Sequence, residues 1–334
     1  MATPGLRHRF ARYPLDGRIP RPWAATRGGS GIGSAVRLLD PKEAAALPFV
    51  ALVAVLAVSR PSAVTNSDSL AALALSLTLV AVWCGMAVRL PAWHGPRPHW
   101  CRRVRDLIAV TSCLAVYPSL RWAVPMVHPG HYDRVLAATD RWLFADRDPV
   151  PVLDHLVSPV ATAVMALAYA CEWVPLLALG GFLWARRRDR EWSDLLLGLV
   201  FVQCLGYVGY FALPAVGPWY GLADRFTVPL GDVLGIRSYY LEHSTDVDAF
   251  PSLHVATIIL MALFAWRDCR GLFWLTSPLL VVVPASTLYL RWHYVTDLVT
   301  GLAVAVVARV AAPSVNRAWD AARRAAAPRS SGSG

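Results

Sequence analysis

Two histidines raise the first chemical question. Residues 249–257 read AFPSLHVAT, and residues 289–301 read YLRWHYVTDLVTG. His254 follows Pro251 and Ser252 at the start of an apolar run, which is how a helix N-terminus reads. A proline suits the first turn, where its missing N–H has no partner anyway. The free N–H groups that follow favour an anion such as phosphate, and Ser252 can add a hydroxyl donor. Asp297 stands four residues after His293. If a helix starts near residue 293, the two share a face and can hydrogen-bond. A carboxylate on one ring nitrogen fixes the tautomer and raises the basicity of the other, and a histidine so held becomes a nucleophile.

The elements that position these residues follow from composition. The chain has 334 residues, 56% hydrophobic and 16% charged, too apolar for an ordinary soluble domain. Several apolar runs approach the roughly 20 residues that cross a bilayer. The expectation is an all-α polytopic membrane protein with eight spans, near 44–60, 69–89, 106–127, 157–184, 194–214, 251–266, 272–290 and 295–312. Period-2 alternation is absent, which excludes a closed barrel.

Arginines set the orientation. They crowd the N-terminal tail, the second, fourth and sixth connections (Arg102 and Arg103, Arg186 to Arg188, Arg267 and Arg270) and the C-terminal tail. With eight spans all of these lie on one side. That side is expected to be cytoplasmic, with both termini inside and the chain in the plasma membrane. The odd-numbered connections are mixed or acidic, with Asp133, Asp140 and Asp154 in the third and Asp246 and Asp248 in the fifth. The net charge of +10 is thus mostly topology, and basic residues scattered over separate loops argue against nucleic-acid binding. None of the six cysteines falls in an outer connection, so no disulfide framework is expected, and their spacings fit no zinc site. Residues 1–43 read as a flexible basic tail and 313–334 as a disordered one. RGGSGIGS at 27–34 has phosphate-loop glycines but no strand–helix context, so it carries no nucleotide reading.

On this map His254 and His293 reach the same outer membrane surface although 39 positions separate them. A lone histidine at an interface is ordinarily a solvated residue. Two of them, one in PSxxH and one in HxxxD, on one surface, make a catalytic pair the better reading.

The stretches FPSLHVA and RWHYVTDLVTG resemble the second and third signature motifs of the type 2 phosphatidic acid phosphatase superfamily. The resemblance implies a six-helix catalytic core at 106–312, with 44–105 as two additional helices. It implies His293 as the nucleophile on phosphorus, Asp297 as its orienting carboxylate, His254 as the acid that protonates the leaving alkoxide, and Ser252 as a phosphate ligand. It also implies that no metal and no cofactor is needed. The usual first motif, a lysine followed by Arg-Pro, is missing. ALPAVGPWYGL at 212–222 stands in its place, and Thr287 replaces the usual arginine of the third motif. This pattern resembles the inositol phosphorylceramide synthase branch, as does DRVLAATDRWLFADRDPVP at 133–151, similar to that branch's outer amphipathic segment.

The phosphate then needs other cations. Arg291 serves only if the chain is non-helical around it, since neighbours two apart on a helix do not face each other. Arg121 lies inside a span, where an arginine faces a partner, a polar cavity or the headgroups. Arg225 and Arg237 are further candidates. Trp219 and Tyr220 can touch substrate or anchor the interface. Glu172 lies in mid-span, where a structural hydrogen bond is expected. The activity implied is a lipid phosphatase or phosphotransferase acting through a phosphohistidine on a substrate whose tails stay in the bilayer, with headgroup transfer to an alcohol as one form. A prenyl or polyprenyl diphosphate phosphatase or cyclase on the same fold is the alternative. A transporter or inactive scaffold is the alternative of another class, which intact His254, His293 and Asp297 oppose. The oligomeric state has no signature in the sequence.

Overall fold

A computed structural model describes residues 39–60, 70–71, 74, 77–78, 81, 99–233 and 235–326. Most of the expected second span, the RGGSGIGS stretch and nearly all of the N-terminal tail lie outside the described residues. The described chain is helical, with one isolated parallel bridge between Ala215 and Asp248. In order the helices are α1 (Pro41–Ser59), α2 (His99–Leu114), α3 (Leu120–Val127), α4 (Asp133–Leu143), α5 (Pro159–Ala170), α6 (Trp173–Ala185) and α7 (Asp189–Ala212), then α8 (Pro218–Gly221), α9 (Ile236–His243), α10 (Leu253–Asp268), α11 (Arg270–Thr276), α12 (Leu279–Tyr289) and α13 (Val295–Ala326).

Local chemistry accounts for where these helices start. Asp40 accepts from the Lys42 N–H, and the Glu43 carboxylate accepts from the Asp40 N–H, a reciprocal cap ahead of α1. Ser158 caps α5 through the Ala161 N–H at 3.2 Å, with Pro159 in the first turn. Ser252 caps α10 through the Val255 N–H at 3.4 Å.

Among the described residues, six helical stretches are long and apolar enough to cross a membrane: Pro41–Ser59, Arg102–Val127, Pro159–Ala185, Asp189–Ala212, Arg270–Tyr289 and Val295–Ala325. Six of the eight expected spans coincide with these, and most of the expected second lies outside the described residues. The expected sixth span is α10, whose 16 residues reach only about 24 Å at 1.5 Å per residue. It sits at the centre, packed against α13, α7, α12, α6 and α11, and most of it is buried. Both tail boundaries also shift. The cap at Asp40 starts the first helix inside the expected flexible tail, and α13 runs on to Ala326 instead of ending near 312.

The segments grouped by their arginines meet at one end of the bundle. Lys42 is fully buried there, 2.7 Å from Asp40 and 3.1 Å from Asp106, and donates to Ser193 at 2.9 Å. Arg105 pairs with Glu43, Arg103 with Asp189, and Asn316 donates to Asp194. The histidine motifs lie at the opposite end, where α7 and α12 finish and α10 and α13 begin.

Candidate active site

The two motifs interlock through their backbones. The Ser252 N–H donates to the Asp297 carbonyl at 3.1 Å, so the turn before α10 is tied to the first turn of α13. Gly301 makes that approach possible, since a Cβ there would stand 2.5 Å from the Ser252 carbonyl oxygen. The result places the His254 and His293 rings 5.8 Å apart between centroids, tilted by 58°.

His293 is almost fully buried, and its Nδ1 lies 2.8 Å from the Ala249 carbonyl. A carbonyl only accepts, so Nδ1 carries a proton, and in the neutral ring Nε2 keeps its lone pair. Asp297 Oδ2 lies 3.5 Å from the same Nδ1 and also accepts from the Tyr294 N–H at 2.7 Å. The carboxylate, wholly buried, thus holds the loop and the ring together. The expected His293–Asp297 neighbourhood is present, and the Ala249 carbonyl shares the orienting role.

His254 opens the first turn of α10. Its Nε2 stands 3.4 Å from Glu172 Oε1, and its Nδ1 3.5 Å from the Tyr169 hydroxyl, whose ring stacks on it at 4.3 Å. Glu172 reaches the site because the Pro159–Ala185 span is interrupted at Cys171 and Glu172, between α5 and α6. Glu172 is 6% exposed, and its carboxylate faces His254. The mid-span structural hydrogen bond expected of Glu172 is thus a contact with the site histidine. Tyr169 in turn meets Tyr240 edge-on at 4.6 Å and lies 6.5 Å from Trp292.

The segment standing in for the first motif is strung between the other two. The Ala249 N–H donates to the Ala215 carbonyl at 3.0 Å, and the Trp219 N–H to the Arg291 carbonyl at 2.9 Å. Gly217 has φ +114°, open to glycine, and a side chain there would strike the Trp292 carbonyl. Helix α4 braces all of this with two buried carboxylates. Asp133 accepts from the N–H groups of Val216 (3.1 Å) and Gly217 (2.8 Å) and from the Tyr294 hydroxyl (3.0 Å). Asp140 accepts from the Val295 and Thr296 N–H groups at 2.8 and 2.9 Å, capping α13. Asp133 and Asp140 are seven residues apart, two helical turns, so both face inward. Sequence reasoning had counted them only as loop charge.

The remaining expected site residues are placed as follows. Ser252 is fully buried and its hydroxyl is committed to the α10 cap, at the site but turned into the helix. Arg291 has φ +65°, so the chain is indeed non-helical there. Its guanidinium turns to Asp154 (2.8 Å) and the Val228 carbonyl (2.5 Å), 3.9 Å over the Phe226 ring. Arg121 pairs at 3.3 Å with Asp246, both well exposed. Trp219 packs edge-on to Trp292 with centroids 6.4 Å apart, and Tyr220 is 57% exposed.

Comparison with known proteins agrees with the motifs. The family model described as "PAP2 superfamily" matches residues 134–311, more than half of the chain, and the chain belongs to that superfamily. Over 169 residues it is 28% identical to a phosphoinositol dihydroceramide synthase of Bacteroides thetaiotaomicron, a match covering 44% of this chain and 54% of that protein. The chain thus spans about half the length of this curated relative, the likeness that best fits the branch suggested by the sequence. No solved structure matches.

Proposed function

We propose that this protein is a lipid phosphotransferase of the PAP2 type, moving an inositol-phosphate-type headgroup to an alcohol acceptor through a phosphohistidine. The observation that carries the reading is the contact of His293 Nδ1 with the Ala249 carbonyl. A carbonyl-held Nδ1–H leaves the Nε2 lone pair free, 5.8 Å between ring centroids from a second histidine.

In the first step His293 Nε2 attacks phosphorus and the P–O bond to the donor alcohol breaks. The proton of His254 goes to the departing oxygen. In the second step His254 takes a proton from the acceptor hydroxyl, whose oxygen attacks phosphorus while the N–P bond breaks. His293 Nε2 is then free again. Glu172 beside His254 supports its charged form in both directions. Water as acceptor would give a phosphatase, and the name of the similar synthase favours transfer. The arginine-rich end is assigned to the cytoplasm and the histidine end to the outer face of the plasma membrane, where substrate tails can remain in lipid.

The test supplies detergent-purified protein with phosphatidylinositol and a ceramide-type alcohol, and in parallel with phosphatidic acid and a polyprenyl diphosphate. Free phosphate and new lipids are followed together, with His293→Ala as control. A new phosphodiester that disappears in the variant supports transfer. Phosphate release that disappears in the variant makes the protein a phosphatase. Indistinguishable behaviour of the two proteins on every substrate refutes the catalytic reading.

A further inference from the structure

Resting on that reading, we propose that Arg237, on the short helix α9, is the cation that neutralises the substrate's phosphate. A PAP2-type displacement builds charge on the non-bridging phosphate oxygens, and positioned cations must meet it. This chain lacks the usual sources. Thr287, where the third motif would carry an arginine, is fully buried and donates its hydroxyl to the Pro284 carbonyl at 2.8 Å. The first-motif region is a backbone strap without a basic residue.

The other arginines at the histidine end divide into those already paired and those exposed. Arg121 is held by Asp246, Arg141 and Arg225 by Asp148, and Arg291 by Asp154. Arg134 and Arg147 are exposed. Arg237 differs from all of them. It is half-buried, and among the described residues no carboxylate lies within ion-pair distance of its guanidinium. Asp232, near it in sequence, is occupied by the Arg237 backbone N–H at 3.0 Å and by the Ser238 hydroxyl at 2.5 Å.

Its position is on the nucleophile loop. Nη1 donates to the Leu290 carbonyl at 3.1 Å, and the guanidinium lies 5.0 Å over the ring of Trp292, the residue before His293. That ring neighbours Tyr169, which stacks on His254. Arg237 therefore stands one side chain away from the histidine pair with most of its five donors unspent. Burial, and then the nearby charge of Arg291, press the Arg237 guanidinium below its ordinary range. Asp232 acts on Arg237 only from beyond ion-pair distance, so the guanidinium keeps donors for a forked contact with a phosphate.

Three proteins test this: wild type, Arg237→Gln and Arg237→Lys. Inorganic phosphate is the probe for binding, by calorimetry and by its effect on melting temperature. The lipid transfer assay supplies kcat and KM, so a free anion and a lipid phosphate are measured separately. Arg237→Gln is expected to weaken phosphate binding at least about tenfold and to lower kcat/KM by about a hundredfold. Its melting temperature without phosphate should stay close to wild type. Arg237→Lys, which keeps the charge and loses the fork, should recover part of both. Unchanged phosphate binding and turnover in Arg237→Gln overturns the assignment. So does a lysine variant that is as impaired as the glutamine variant and melts early, since Arg237 would then only brace the Leu290 carbonyl. The titration does not depend on turnover. A wild type that transfers nothing yet binds phosphate through Arg237 would sink the catalytic reading and keep the site.

Discussion

Glu172→Gln offers the sharpest test of how His254 works. The substitution keeps the size and one acceptor oxygen but removes the charge beside Nε2, 3.4 Å away. Both charges are delocalised, so their centres lie roughly 5 Å apart, and at an effective dielectric of about 20 they attract by about 3 kcal/mol. Glu172 is only 6% exposed, so solvent screening is weak, but the same burial disfavours each charge and makes about 3 kcal/mol the ceiling. If His254 must carry a proton to the leaving group, about 3 kcal/mol corresponds to about a hundredfold in rate. The loss should depend on the leaving group. An alkoxide needs the proton, whereas a nitrophenolate departs without one. The assay is therefore single-turnover formation of the phosphoenzyme from an alkyl phosphodiester and from its nitrophenyl analogue. Glu172→Gln should slow the alkyl substrate about a hundredfold and the aryl substrate by severalfold at most. An equal loss on both substrates would refute the reasoning, because a distorted site would treat them alike. So would no loss on either.

The other predictions address the frame around this pair. Asp297→Asn should lower the single-turnover rate by roughly 10²–10³ while leaving a residue of activity above His293→Ala, because the Ala249 carbonyl still holds the Nδ1–H tautomer. Asp133→Ala removes the acceptor for the Val216 and Gly217 N–H groups and the Tyr294 hydroxyl, each buried. At about 1–3 kcal/mol per stranded donor, thermal unfolding should move down by many degrees, and an unchanged melting temperature would show that α4 is no brace. Gly301→Ala pushes a methyl against the Ser252 carbonyl and should cost about 1–3 kcal/mol together with activity, read by melting and transfer assays. Asp154 gives a pH prediction. Burial opposes its ionisation, but the Thr227 and Val228 N–H groups and Arg291 outweigh it and hold the carboxyl below the usual range. A depressed folded value adds stability above the unfolded value, near 4, that is lost as pH falls through the folded one. The melting gap between wild type and Asp154→Asn should be full at neutral pH and close in acid; a gap that widens in acid has the wrong sign.

What the sequence made legible divides along a physical line. The apolar runs marked the helices, and Pro251 and Ser252 marked where α10 begins, because those signals are local; the caps at Asp40 and Ser158 are equally local and went unread. The histidine pair was legible because HxxxD and PSxxH each mark a helix start, although α13 begins two residues after His293, so the His293–Asp297 contact joins a loop to a first turn. The residues missed or undervalued act across the fold. Asp140 reaches Thr296 over 156 positions, and Asp133 reaches Tyr294 over 161. No periodicity within α4 says what a carboxylate two turns from another will accept. Glu172 looked like an isolated mid-span acid, although Pro175, which lacks the N–H that would bond the Cys171 carbonyl, marks the break between α5 and α6. The length of α10 was the opposite case. Its 16 residues are short for a span, yet it runs from the histidine end to the arginine end, where Asp268 meets Arg188, because it is buried among five other helices. The stretch at 212–222 joins these observations. With no first-motif cation it could be taken for a site that had lost its charge. In the fold its backbone ties Ala249, which holds His293, to Arg291, two residues before that histidine. A strap in that position fixes the loop that carries His293 and, on the proposed function, leaves a phosphate charge to be met from a neighbouring connection. That is why Arg237 on α9, one of several candidate cations in the linear sequence, becomes the residue to change first.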